Sequence, residues 1–290
     1  MKTKRAIVAG VLTALLIGGG TARAGFILRN DDQFTTSVLH DQGTLWDRSR
    51  LSILSGGGVN VLHAYGDSTV DMSAGASVGS LYAANDRVNI SGGSVGIFYA
   101  YNRCAVTISG GSVGILRPEH NSTIDISDGQ ADQIETFDTS VLSVSGGRVN
   151  QYLTACDSST VNVSGGMVGD LRGYDSSFVN ISGGWVSGLS AEQTSTADIS
   201  GGSLNGLRAL GYTTVTFHAR DYRVEGGLSL IGDRVVGTGI LSGEWFDGTP
   251  WAVNIWGNAS EARIWAVPEP ATLGLLALGG LAIPRRRPAP

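Results

Sequence analysis

The sequence predicts an all-β chain: a parallel β-helix (β-solenoid) of about nine 18-residue coils with a C-terminal β-rich cap. Three observations carry this. First, the phrase Ser-Gly-Gly, or its variants Ser-Ala-Gly and Ser-Asp-Gly, begins at Ser55, Ser73, Ser91, Ser109, Ser127, Ser145, Ser164, Ser182 and Ser200, 18 residues apart save for one step of 19. A short period sustained over nine units marks a solenoid, whose units bury their apolar edges only by stacking. Second, apolar residues form columns within the period: Val95, Val113 and Val149 at unit position 5, Leu62, Phe98 and Leu116 at position 8, Val88/Ile90 and Val106/Ile108 at positions 16 and 18. The polar residue between the last two gives the period-2 alternation of a strand with one face inward. Third, paired glycines and β-branched residues recurring this often leave no uninterrupted helix.

Taken in order, residues 1–24 read as a secretory signal. Lys2, Lys4 and Arg5 precede an apolar core over 6–20, and Ala22-Arg23-Ala24 offers a small-x-small cleavage site at Ala22 and Ala24. The apolar core is short for a membrane span. Residues 25–54, with Leu51 and Ile53 near strand register, are expected to cap the N-terminal end.

Residues 55–217 form the repeat. The 19-residue unit reads as one residue inserted just before Leu153, after which the columns resume. The glycines fall where each coil turns after its Val-x-Ile strand, and glycine accepts positive φ there. The half-coil G-G-x-G-x-D of calcium-binding rolls is missing its Asp in "SGGSVGIFY", and no six-residue apolar period is present, so neither of those solenoid classes fits.

Residues 218–266 abandon the repeat, alternate as strands and hold Trp245, Trp251, Trp256 and Trp265. An open solenoid end needs covering, so this stretch is expected to be a β-rich cap. A sugar platform made by the same tryptophans is the other reading.

The charge balance narrows the partners. Of 20 basic residues four precede Gly25 and three follow Val267, and of 25 acidic residues only Glu269 lies outside, so the body carries 13 against 24, near −11, with no lysine. That speaks against nucleic acid, whose phosphates need a basic face, and leaves divalent cations and neutral glycans.

Three groups of residues merit attention. At unit position 12, Asp138, Asp157 and Asp175 would stack on consecutive coils. Carboxylates so close repel unless splayed into water or bridged by a cation, so the column reads as solvated turn aspartates or as a Ca²⁺ site; no other cofactor is expected. At position 9 run His63, Tyr82, Tyr99, Arg117 and Glu135, with Tyr65, Tyr101, Glu119 and His120 beside them. This is a candidate glycan-contacting face, although Arg117–Glu135 also reads as a surface ion pair between neighbouring coils. Cys104 and Cys156 lie three coils apart, beyond disulfide reach. No zinc spacing, nucleophile elbow, phosphate loop or triad is visible, and the chain is expected not to be an enzyme.

Residues 267–290 carry Pro268-Glu269-Pro270, an apolar stretch over 271–283 and the cluster Arg285, Arg286, Arg287. This tripartite arrangement closely resembles the PEP-CTERM sorting signal of Gram-negative bacteria. Pro284 and the Pro-Ala-Pro tail depart from it by shortening the apolar stretch. The resemblance implies transient membrane anchoring through a short transmembrane segment, the arginines remaining cytoplasmic. It also implies processing by an exosortase at the inner membrane and delivery to the cell surface or exopolysaccharide matrix. The function expected is that of a secreted structural or adhesive matrix protein. The alternative is a carbohydrate-active enzyme or glycan-binding module, similar to a polysaccharide lyase, on the same scaffold; the partner expected outside the cell is exopolysaccharide.

Overall fold

The computed structural model describes residues 25–258 and 262–267, and all regular structure among them is strand. Two tracks of parallel pairing run the length of the molecule. One passes through Phe26, Gly43, Leu62, Leu81, Phe98, Leu116, Ile134, Leu153, Leu171, Leu189, Leu207 and Ile255, each the register partner of the next. The other passes through Phe34, Leu51, Val70, Val88, Val106, Ile124, Leu142, Val161, Val179, Ala197, Val215 and Ile264. The chain is a parallel β-solenoid of about 11 turns. The count exceeds nine because stretches outside the Ser-Gly-Gly units pair in the same register: Phe26–Leu28 on Leu39–Leu45, Gln33–Thr36 on Arg50–Ile53, and Arg263–Val267 on Thr214–His218.

The two tracks enclose one core. Val88, Ile90, Phe98 and Ala100 of a single coil are all fully buried, and their counterparts follow along the stack. The inserted residue is absorbed by a register shift between Val149 and Tyr152, so Leu153 keeps its place between Ile134 and Leu171. A second buried column is polar: Ser49, Ser68, Ser122, Ser140, Ser159 and Ser177 have no exposed surface. Several close the turn before them, as Ser122 and Ser140 do by donating to the carbonyls of Glu119 and Phe137 at 2.7 Å.

One glycine of the corner is needed for both conformation and space, the other for space. Gly111 has φ +77°, which L side chains rarely adopt, and a Cβ on it would lie 2.6 Å from the carbonyl oxygen of Gly93. A Cβ on Gly110 would lie 2.6 Å from the carbonyl oxygen of Ser91 on the preceding coil, so that position is emptied by close backbone approach.

Both ends of the core are plugged by aromatics. At the N-terminal end the Phe26 ring lies 5.0 Å from Phe34 and 5.1 Å from His40, and it fills the space left above Gly43. At the other end Phe217, Trp251 and Trp245 stack in sequence at 5.1 and 4.7 Å. The chain leaves the stack after His218, makes antiparallel strands, and returns for the last rung. That rung, Pro250–Asn258 and Arg263–Val267, pairs in parallel with the coil below, and its outer edges are covered by Gly239–Glu244 and Arg234–Val236 running antiparallel. Covering the edge removes a template for pairing with other chains.

Candidate functional site

Parallel in-register coils place like positions one strand spacing apart, about 4.8 Å, which is stacking distance for aromatic rings. His63, Tyr82 and Tyr99 form such a stack, with centroids 4.9 and 5.2 Å apart and planes within 16° and 5°. Position 11 widens it: Trp46 lies 4.7 Å from Tyr65, Tyr65 lies 6.1 Å from His63, and Tyr101 lies 5.9 Å from Tyr99. The guanidinium of Arg117 continues the run, 5.8 Å from the Tyr99 ring, and its Nε donates to Glu135 at 2.9 Å. The structure thus joins every member of the position-9 column in one half-buried face. Within the stack the ring faces are taken by neighbouring rings, leaving edges and polar tips for contact with other molecules.

The position-12 aspartates do something else. His120, Asp138, Asp157, Asp175 and Gln193 all have φ between 50 and 61°, a left-handed turn conformation that Asp and Asn tolerate better than most residues. The carboxylate of Asp138 accepts the amide of His120 at 3.2 Å, Asp157 that of Asp138 at 3.0 Å, and Asp175 that of Asp157 at 3.2 Å. Among the described residues, the group whose potential ligand atoms lie within 4.8 Å of one another is Glu119, His120 and Asp138. Asp138 is therefore gathered with Glu119 and His120, not with Asp157 and Asp175.

The tryptophans divide. Trp245 and Trp251 are buried in the plug, Trp265 is half-buried in the last rung, and Trp256 is 56% exposed with the Arg208 guanidinium 5.7 Å from its ring. A cleft of about 530 Å³ separates the glycine corners Ser182–Gly184 and Ser200–Ser203 from the tip Trp245–Ala252.

Sequence reading passed over Asp86. It occupies the buried serine column between Ser68 and Cys104, is 4% exposed, and accepts the amides of Ser68 at 2.7 Å and Ala84 at 2.9 Å. Burial pushes its carboxyl from 3.8 up to about 7 despite those amides. A carboxylate among serines at one fixed repeat position was the available signal. Burial likewise pushes the Cys104 thiol up to about 12 and that of Cys156 to about 11; both are free.

The expected sorting residues Pro268, Glu269, Pro270, Arg285, Arg286 and Arg287, and the cleavage residues Ala22 and Ala24, lie outside the described residues, as does the proposed transmembrane segment. Residues 266–287 match the family model of the PEP-CTERM protein-sorting motif. The chain carries a PEP-CTERM sorting signal. A PEP-CTERM signal implies secretion, anchoring of the C-terminus in the membrane before processing, and an exosortase as the processing partner. No curated protein and no solved structure matches the chain. Among the described residues no helix is long and apolar enough to cross a membrane.

Proposed function

We propose that this PEP-CTERM protein is a non-catalytic structural and adhesive rod of the bacterial surface or exopolysaccharide matrix. The observation that carries the reading is the junction of rod and signal: the two parallel tracks end in Pro250–Asn258 and Arg263–Val267, and the sorting motif begins at residue 266 of the latter strand. Adhesion is assigned to the aromatic face from Trp46 to Tyr101, whose edges and hydroxyls suit weak, repeated contact with a neutral polymer lying along the coils. Arg117 and Glu135, which continue this face, are paired with one another at 2.9 Å, and the His63 ring nitrogen is hydrogen-bonded with the Tyr65 hydroxyl at 3.2 Å.

Deleting residues 268–290 tests the placement: the protein is expected to leave the surface fraction for the medium, and unchanged surface retention would refute it. Co-sedimentation with insoluble polysaccharides tests adhesion, with Tyr82→Ala and Tyr99→Ala expected to weaken it several-fold. The enzyme reading gains only if the intact protein releases reducing ends from some member of a polysaccharide panel.

A further inference from the structure

The sorting signal and the folded body share residues. Ala266 and Val267 belong to the matched motif and also to the final strand. Ala266 is 3% exposed, registers on Phe217, and donates its amide to the carbonyl of Asp233 at 2.8 Å. The carbonyl of Val267 lies 3.2 Å from the hydroxyl of Tyr222. That hydroxyl accepts the amide of Ala219 at 2.8 Å and also reaches the carbonyl of Phe217 at 2.7 Å, so its single proton is shared between two carbonyls. The Tyr222 ring in turn meets Trp251 of the plug edge-on at 6.1 Å. No linker separates the plugged end of the rod from Pro268.

A second observation concerns the surface around this exit. The hairpin Ser229–Ile231 and Arg234–Val236 covers the outer edge of the final strand. It presents Leu230 at 37%, Ile231 at 67% and Val236 at 37% exposure; Ile240, on the strand covering the other half of the rung, and Trp256, on the rung itself, are also exposed. Exposed apolar residues grouped in one element mark a contact surface, and tryptophan is favoured at membrane–water interfaces.

We propose that this C-terminal rim, built on the 229–236 hairpin and held to the exit strand by Tyr222, rests on the lipid bilayer while the sorting signal is still attached. An extended chain spans at most about 3.5 Å per residue, so Val267 lies within roughly 10 Å of Pro270. With the signal anchored in the membrane, the tether holds the rim near the surface, and the hairpin side chains decide whether it makes contact. The Phe26 end is then the distal end, roughly 50 Å out at a strand spacing of about 4.8 Å. The inference shares with the proposed placement the anchoring that the signal implies but does not rest on polymer contact, so it and the adhesion reading fail independently.

The test uses the full unprocessed chain with Cys104→Ser and Cys156→Ser, reconstituted into phosphatidylethanolamine–phosphatidylglycerol vesicles containing nitroxide-labelled lipid. A fluorophore is placed through Ile231→Cys on the rim or through Asn30→Cys at the distal end. The rim label is expected to be quenched several-fold more strongly than the distal one; equal quenching overturns the proposal. In a second pair, a label at Asn258→Cys is followed with and without Leu230→Ser and Val236→Ser, exposed positions whose exchange leaves the core intact. Loss of quenching supports contact through the hairpin. Unchanged quenching, or light scattering that shows a second copy covering the rim, overturns it.

Discussion

The carboxylate of Asp86 accepts the backbone amide of Ser68, 2.7 Å away, from a buried column where other coils place serine. Its folded value of about 7 stands above the ordinary 3.8. The folded state therefore holds a proton that the unfolded state has lost between about pH 4 and pH 7. Stability from this group is fully present below pH 4 and falls as pH rises through 7. At ~1.4 kcal/mol per unit the loss is on the order of a few kcal/mol. The melting temperature is expected to fall from pH 4 to pH 8 in the wild type, and Asp86→Asn should flatten that slope; circular-dichroism melts across this range are the check.

Gly111→Ala is expected to cost more than about 1–2 kcal/mol, the penalty for placing a Cβ in a left-handed conformation, because that Cβ would also lie 2.6 Å from the carbonyl oxygen of Gly93. Gly110→Ala should also be destabilising, because the carbonyl of Ser91 on the preceding coil must move. Urea titrations of both variants read these losses. Equal stability of Gly110→Ala and wild type would mean that the coils are not packed at the spacing described.

Trp251→Ala is expected to cost about 3–5 kcal/mol, as for a large core aromatic, because Trp251 is the centre of the Phe217–Trp251–Trp245 plug. Trp256→Ala, at an exposed position, should stay within about 0.5 kcal/mol. The contrast in denaturant midpoints separates plug from surface.

Cys104→Ser should be close to neutral in stability, since serine fills the same position in six other coils from Ser49 to Ser177. With its thiol pushed up to about 12, Cys104 is expected to resist alkylation at pH 8 until the protein is unfolded. Mass spectrometry after timed alkylation measures this.

Asp157→Asn is expected to be tolerated, because Asn retains an acceptor for the amide of Asp138 and accepts the same turn conformation, as Asn85 and Asn102 do. Asp157→Ala loses both and should cost about 1–2 kcal/mol. Thermal melts of the two variants side by side decide it.

Periodicity alone specified the parallel solenoid, because in a stack of identical coils one unit's apolar columns describe them all. Val95, Phe98, Val88 and Ile90 were legible as core for that reason. The PEP-CTERM signal was equally legible, being a linear motif read from adjacent residues. Turns that lacked the phrase could not be counted from it, so Phe26–Leu28 and Arg263–Val267 joined the stack only in three dimensions.

What the tertiary structure alone decided lies in contacts across coils and at the ends. The tyrosine stack needed actual ring planes, and the turn aspartates needed backbone angles to show amide acceptors. The split between Trp251 and Trp256 needed burial, and the tie from Tyr222 to Val267 joins residues 45 apart. Local sequence sets how each coil is built; where the chain leaves the stack and returns, only the packed fold determines which groups meet.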